Sequence, residues 1–442
     1  MIGRTLRCCV LVVSMALFPA RAAGTLSAFR FPVTHYTLGN GLQVLLSEDH
    51  TLPIVSVVVA YRVGSIHERQ GKTGLAYLVQ NLMFQGSRNV GQMQHIRFIQ
   101  KIGGTLNAAT MEDKTLFYQT VPANQLALVL WLESDRMRSL NISSAGVESI
   151  KNSLLEEIQL RRNTDPYFEN SVMFDSLLYG DFPHSHPVVG TEADIRSIAV
   201  RDVREFYKTF YRPNNAVLVI AGDIEVPKVH QLIIKYFSTI PKGPPPPPPP
   251  RVEPEELKPS VHVVRNSFAP SPAFHMGYRV AAPLTEDYYA LVLTEYVLLR
   301  GRTSRLYKKL VLRDRIALDL SGGIERKADR AVFKIFVRAN NQYMKERCQK
   351  AIFSEFNRFK SSLLPEKELE RAKNLLKRDF LRQYATTLDR AIYLAEELMD
   401  RRDVAERPDA LDRYLSLSRH RVSRMITKYF SGEPVILDIQ IQ

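Results

Sequence analysis

At 442 residues the chain exceeds what one hydrophobic core ordinarily organises, so two or three domains are expected. A composition of 45% hydrophobic and 24% charged residues excludes wholesale disorder. The net charge of +14 is spread among acids along helical stretches such as KELERAKNLLKRDFLRQY, with no short basic block interleaved with aromatics, so no nucleic acid partner is expected.

The N-terminus stands apart. Arg4 and Arg7 precede the apolar run CCVLVVSMALF, and Ala20-Arg21-Ala22 supplies small residues at alternate positions. This is the layout of a secretory signal peptide over residues 1–22, and the run is too short to span a bilayer comfortably. Cys8 and Cys9 leave with it, so the mature chain keeps only Cys348 and cannot form an internal disulfide. A signal-led, disulfide-free, basic chain is expected to be exported, with the bacterial periplasm the best fit.

Strand patterns follow at residues 41–46 and 54–63. The second, IVSVVVAYRV, is a nearly continuous β-branched run suited to a sheet centre. Helices are predicted over 73–86 and 91–102, the latter ended by Gly103-Gly104. A strand is predicted at 115–121, a helix from about 123 through ALVLWLESDRM, and another from about 144 through SLLEEIQLRR. AVLVIA at 216–221 reads as a buried strand leading into the Gly222-Asp223 turn.

Seven consecutive prolines, Pro244 to Pro250, cannot donate backbone hydrogen bonds and form a stiff polyproline II spacer. They open a linker over 244–256 between a first domain at 23–243 and a second at 257–442. The second half repeats the first in outline. Strands are predicted at 261–264, 274–280, 332–337 and 435–441, and helices at 287–299, 305–311, 345–359 and 365–401, with Pro365 as first helical residue. Similar length and element order suggest an internal duplication, although the residues hardly match.

The helix at 73–86 carries the chemistry. Leu75, Leu78, Val79, Leu82 and Met83 form one apolar face, while Tyr77, Gln80, Asn81 and Phe84 share a second. On that second face two histidines and a glutamate would hold and use zinc, and all three decisive positions are something else.

The stretch GLAYLVQNLMFQGS from Gly74 resembles the zinc helix of the insulinase/pitrilysin family of metallopeptidases, whose pattern is H-x-x-E-H. Gly103-Gly104-Thr105-Leu106-Asn107-Ala108 is similar to that family's G-G-x-x-N-A turn. So are Leu132-Glu133-Ser134-Asp135-Arg136-Met137, His184-Ser185-His186-Pro187, and Phe206-Tyr207 through Asn215-Ala216 to their counterparts. Thr303-Ser304-Arg305-Leu306-Tyr307 and Glu368-Leu369-Glu370-Arg371-Ala372-Lys373 resemble its second-half landmarks. The resemblance spans nearly the whole mature chain. It implies an α+β fold of two related domains, each a sheet with a helix layer, closed into a clamshell.

Carried over by this resemblance, the two zinc histidines fall on Tyr77 and Asn81 and the catalytic glutamate on Gln80. The third ligand falls on Glu157, which is retained. A phenol with a pKa near ~10 and a carboxamide are poor zinc ligands, and Gln80 accepts no proton from water. The family's substrate-gripping arginine and tyrosine fall on Val311 and Leu318, with Arg313 and Arg315 close by if the register shifts. Asn107 and Phe84 are the peptide-binding candidates. His184 and His186 read as structural rather than as a metal clip. No catalytic residue, metal or cofactor is expected.

The resemblance then implies a non-catalytic family member that pairs, as a heterodimer, with a zinc-competent paralogue and forms half of a peptide-binding chamber. Two alternatives stand beside it. One is a metal-dependent endopeptidase with a rearranged site, which would carry zinc. The other is a scaffold subunit with no peptide-binding role.

Overall fold

The computed structural model describes residues 32–441 apart from 181, 251–256 and 402–409. The signal-like segment and the end of the proline linker lie outside the described residues. The first half runs β1 (Thr34–Thr37), β2 (Gln43–Glu48), β3 (Ile54–Tyr61), α1 (Leu75–Leu82), α2 (Gln94–Lys101), β4 (Thr105–Thr110), β5 (Thr115–Pro122), α3 (Leu126–Arg138), α4 (Ser144–Thr164), α5 (Phe168–Tyr179), α6 (Glu192–Ser197), α7 (Val200–Phe210), β6 (Ala216–Gly222) and α8 (Val226–Phe237). The second half opens with β7 (Ser260–Arg265), β8 (Ala273–Val280), α9 (Glu286–Leu298) and α10 (Arg305–Tyr307), which runs into a π-helical turn, Lys308–Arg313. It continues through β9 (Ala317–Lys327), β10 (Arg330–Ala339), α11 (Gln342–Arg358), α12 (Glu366–Arg382), α13 (Thr387–Arg401), α14 (Ala410–Ser416), α15 (Arg419–Phe430) and β11 (Val435–Gln440).

The duplication suspected from element order is a duplication of topology. One sheet is ordered β1-β2-β6-β3-β5-β4 and the other β7-β11-β8-β10-β9. Leaving β1 aside, both read first, last, second, fourth, third strand. In both, the first and last strands pair in parallel and the other pairings are antiparallel.

The apolar run of β3 has a double explanation. Val55, Val57, Val59 and Tyr61 face a core shared with α1, α3 and α4, while Val58 and Ala60 face a second cluster with Ala391, Leu394, Ala395 and Leu398. Those last four belong to α13, a helix of the second half. A strand buried on both faces has no need of polar alternation. Leu394 and Leu398 are almost fully buried, each contributing roughly 2 kcal/mol. Reciprocally, α5 of the first half lies on the second sheet, where Phe174 and Leu178 pack with Leu437 and Ile439. Gly277 on β8 permits this approach, because a Cβ there would meet Leu178 at 2.6 Å.

Polar bonds reinforce the exchange. Ser56 on β3 lies 2.8 Å from Thr387, and Arg390 donates to Asp49 at 2.7 Å. Asp400 accepts from Lys114 at 2.8 Å and from Arg326 at 2.6 Å, joining α13 to elements of both halves.

Several sequence expectations are corrected. Residues 365–401 form two helices, because the Thr386 hydroxyl accepts from the Asp389 N–H at 3.0 Å and starts α13 afresh. Pro365 is the N-cap of α12 and not its first helical residue. The turn expected at 103–108 opens into the edge strand β4, paired only with β5 among the described residues. The strand β9 and the helices α5, α6 and α7 have no counterpart in the sequence-based expectations.

The Asp400 carboxyl is held below its ordinary range. Burial opposes its charge, but the Arg326 hydrogen bond and the Lys114 and Arg326 charges outweigh it. Its stabilisation is therefore present above the ordinary aspartate pKa and is lost as pH falls through the depressed folded value. Asp400→Asn should cost about 2–3 kcal/mol in urea unfolding near neutral pH. That difference should shrink as pH falls below the ordinary aspartate range and through the depressed folded value.

Candidate functional site

Helix α1 begins from Gly74, whose left-handed backbone (φ 89°) turns the chain into it. The buried Glu68 carboxylate accepts the N–H groups of Gly74 at 3.0 Å and Ala76 at 2.7 Å, meeting two of the donors a helix start leaves open. Burial raises the Glu68 pKa well above its ordinary value, with those N–H bonds pulling the other way. Leu75, Leu78, Val79 and Leu82 then sink into the core, which fixes the direction in which the second face points.

On that face the expected residues do come together. Tyr77 Oη donates to Glu157 Oε2 on α4 at 3.1 Å. Glu157 Oε1 accepts from Arg161 one turn further along α4 at 2.6 Å. The Asn81 amide donates to the Tyr77 carbonyl at 2.9 Å. Gln80 is buried, and its Oε1 accepts from the Thr110 hydroxyl on β4 at 3.2 Å, tying the helix to the edge strand. Burial pushes the Tyr77 phenol pKa up, and the neighbouring Glu157 charge pushes it further.

These groups do not fit zinc. The phenol keeps its proton and gives it in a hydrogen bond to the carboxylate that the resemblance makes a ligand. That carboxylate is further neutralised by a guanidinium. Among the described residues no three His, Cys, Asp or Glu side chains are grouped so as to hold a metal ion. Nor can the Gln80 carboxamide take a proton from water. What the arrangement can do is hold α1, α4 and β4 together and present half-buried polar groups.

The remaining candidates fall in different places. Asn107 is exposed on β4, and its Oδ1 accepts from the next N–H, that of Ala108, at 2.8 Å. Phe84 packs edge-on against Phe117 and His95, with the Arg136 guanidinium 5.2 Å from its ring, as part of the wall. Val311 is half-buried in the π-helical turn, and Leu318 is 51% exposed on β9. His184 and His186 are both buried and separately engaged. His184 lies 3.2 Å from Asp329, and His186 stacks on Phe182 beside Glu68. Sequence reasoning missed Thr110, Glu68 and Arg161. Of these only Arg161 carried a local signal, its helical i, i+4 spacing from Glu157.

Residues 43–177 match the family described as Insulinase (Peptidase family M16), and residues 197–376 match that described as Peptidase M16 inactive domain. The zinc protease PqqE of Helicobacter pylori is 26% identical over 399 residues, covering 89% of each chain. A solved protease from Helicobacter pylori has a TM-score of 0.87 at 26% identity, covering 93% of this chain and 99% of that one. A Pseudomonas fluorescens protein described as a peptidase M16 inactive domain shares the fold with a TM-score of 0.83 at 18% identity, over 93% and 98% of the two chains.

A double-mutant cycle on Tyr77→Phe and Glu157→Gln, followed by urea unfolding, should give a coupling of about 1 kcal/mol, as a half-buried hydrogen bond to a carboxylate warrants. The same cycle on Glu157 and the more exposed Arg161 should give about 0.3–0.5 kcal/mol.

Proposed function

The chain belongs to the insulinase family, peptidase M16, and from that premise we propose that it is a non-catalytic member that pairs with a zinc-competent relative and supplies one wall of a peptide-binding chamber. The observation that carries this reading is the state of Glu157. Both of its oxygens are engaged, one by the Tyr77 hydroxyl and one by Arg161, where a working site would turn the carboxylate to a metal. A zinc peptidase needs a Lewis acid and a base in one place, and Tyr77, Gln80 and Asn81 supply neither. Peptide binding is supported by β4, an edge strand whose outer side pairs with no strand among the described residues, so its backbone groups can take an added strand. The same reading has the chain exported to the periplasm, on the strength of the signal-like residues 1–22.

Three measurements test it. Metal analysis of the purified chain should find no stoichiometric zinc, and roughly one equivalent per chain would overturn the reading. Co-expression with a relative bearing an intact H-x-x-E-H should raise that relative's peptidase rate, and an unchanged rate removes the chamber role. Tyr77→His, Gln80→Glu and Asn81→His together should take up about one zinc per folded chain, with Glu157 as third protein ligand. A folded triple variant that binds none would show that Glu157 is not in the ligand position.

A further inference from the structure

Two sequence landmarks take no part in the site on α1. Arg305, from the Thr303–Tyr307 stretch, and Glu368, from the stretch that follows Pro365, form a two-pronged ion pair with both hydrogen bonds at 3.0 Å. They stand in the wall of a cavity of about 740 Å³, bounded by the π-helical turn and the ends of α11 and α12. That volume lies in the range of ligand pockets, roughly 300–1,000 Å³.

The lining is built rather than incidental. Glu355, 4% exposed as a side chain, accepts from Arg305 at 3.0 Å and from Arg358 at 3.1 Å. The Arg305 guanidinium also lies 4.8 Å from the Phe359 ring. Lys309 and Arg313 both bond Asp314, at 2.9 and 3.0 Å. The carboxylates thus engage four cations, of which Arg305 and Lys309 are mostly buried, and a held cation loses little freedom when a ligand arrives.

What these pairs leave over is positive. The lining carries Arg305, Lys308, Lys309, Arg313 and Arg358 against Glu355, Glu368 and the adjoining Asp314, an excess of two charges. Lys308 is exposed and has no carboxylate partner among the described residues, and Arg313 and Arg358 each use one nitrogen on the protein. Beside these donors Leu312 and Leu363 line the same cavity at 45% and 43% exposure. The backbone agrees. Asp314 N–H bonds the Lys309 carbonyl at 2.9 Å, a wide turn that brings Lys308, Lys309, Leu312 and Arg313 to one cavity, and π-turns of this kind recur at functional sites.

The geometry points to a binding site for a phosphate monoester with an apolar substituent. A dianionic phosphate matches the excess of two charges and takes donors from Lys308, Arg313 and Arg358, while Leu312 and Leu363 seat an acyl chain. Inorganic phosphate alone would leave most of the cavity unfilled.

Calorimetric titration of the full chain with a monoacyl glycerol phosphate, below its micelle concentration, tests this. Saturable binding is expected, weakened at least about tenfold by Lys308→Glu, which removes one charge-assisted contact and sets a like charge against the phosphate. The uncharged monoacyl glycerol should bind far more weakly. Leu363→Ser should weaken the acyl phosphate but not inorganic phosphate, which marks the lipid as the source. Equal binding of inorganic phosphate and the acyl phosphate would keep the phosphate site and assign it to the free ion. Thermal melting of each variant checks that the fold is intact. No saturable binding of either phosphate, unchanged binding in a folded Lys308→Glu chain, or tighter binding of an acidic leucine-containing peptide would overturn the assignment.

Discussion

Each sheet of this protein has two apolar faces and only enough helices from its own half to cover one. The first sheet is closed by α13 from the second half, and the second by α5 from the first. This reciprocal covering is the constraint from which the rest of the structure follows. Without it Val58, Ala60, Val217 and Val219 would face water on one sheet, and Leu437 and Ile439 on the other. Since burial of each large aliphatic side chain contributes roughly 1.5–3 kcal/mol, the apolar contacts outweigh the polar bonds that accompany them. The ion pairs of Asp400 with Lys114 and Arg326 decide where α13 sits more than how firmly it is held.

Because the two halves share one topology, α9 stands in the second half where α1 stands in the first. Both follow the second strand of their shared order, and each packs against the helices that fill the roles of α4 and α7. Helix α1 is held on two sides. Its apolar face is locked into the first core and its N-terminus is capped by Glu68, so the polar face has one orientation whatever residues it carries. On that face a phenol and a guanidinium both bond one carboxylate, adding local polar contacts to stability.

The landmarks of the second half read differently in space than in sequence. Ser304-Arg305-Leu306 and Glu368 are 63 positions apart at the ion pair, yet they form one wall, and each of the three Arg305 guanidinium nitrogens donates to one of two carboxylates. These bonds hold its guanidinium in the cavity wall. The neighbouring π-helical turn carries Val311 in the position where the resemblance sets an arginine, and it directs Arg313 to the cavity lined by Arg305 and Arg358.

Local pattern determined a good deal by itself. The two faces of α1 follow from helical spacing, the central placing of β3 from its nearly continuous β-branched run, and the repeat from element order. The substitutions at Tyr77, Gln80 and Asn81 are likewise legible once the resemblance is seen. Other features depended on contacts between distant residues. The β4 edge strand follows Gly103-Gly104 and looks like a turn until β5 lies beside it. The break between α12 and α13 turns on one threonine cap, and the destination of α13 on a sheet more than three hundred residues earlier. The partners of Glu157 divide the same way: Arg161 is a neighbour on its own helix, whereas Tyr77 reaches it only when α1 and α4 pack. Periodicity records which side of an element avoids water, and only the packed chain decides what covers it.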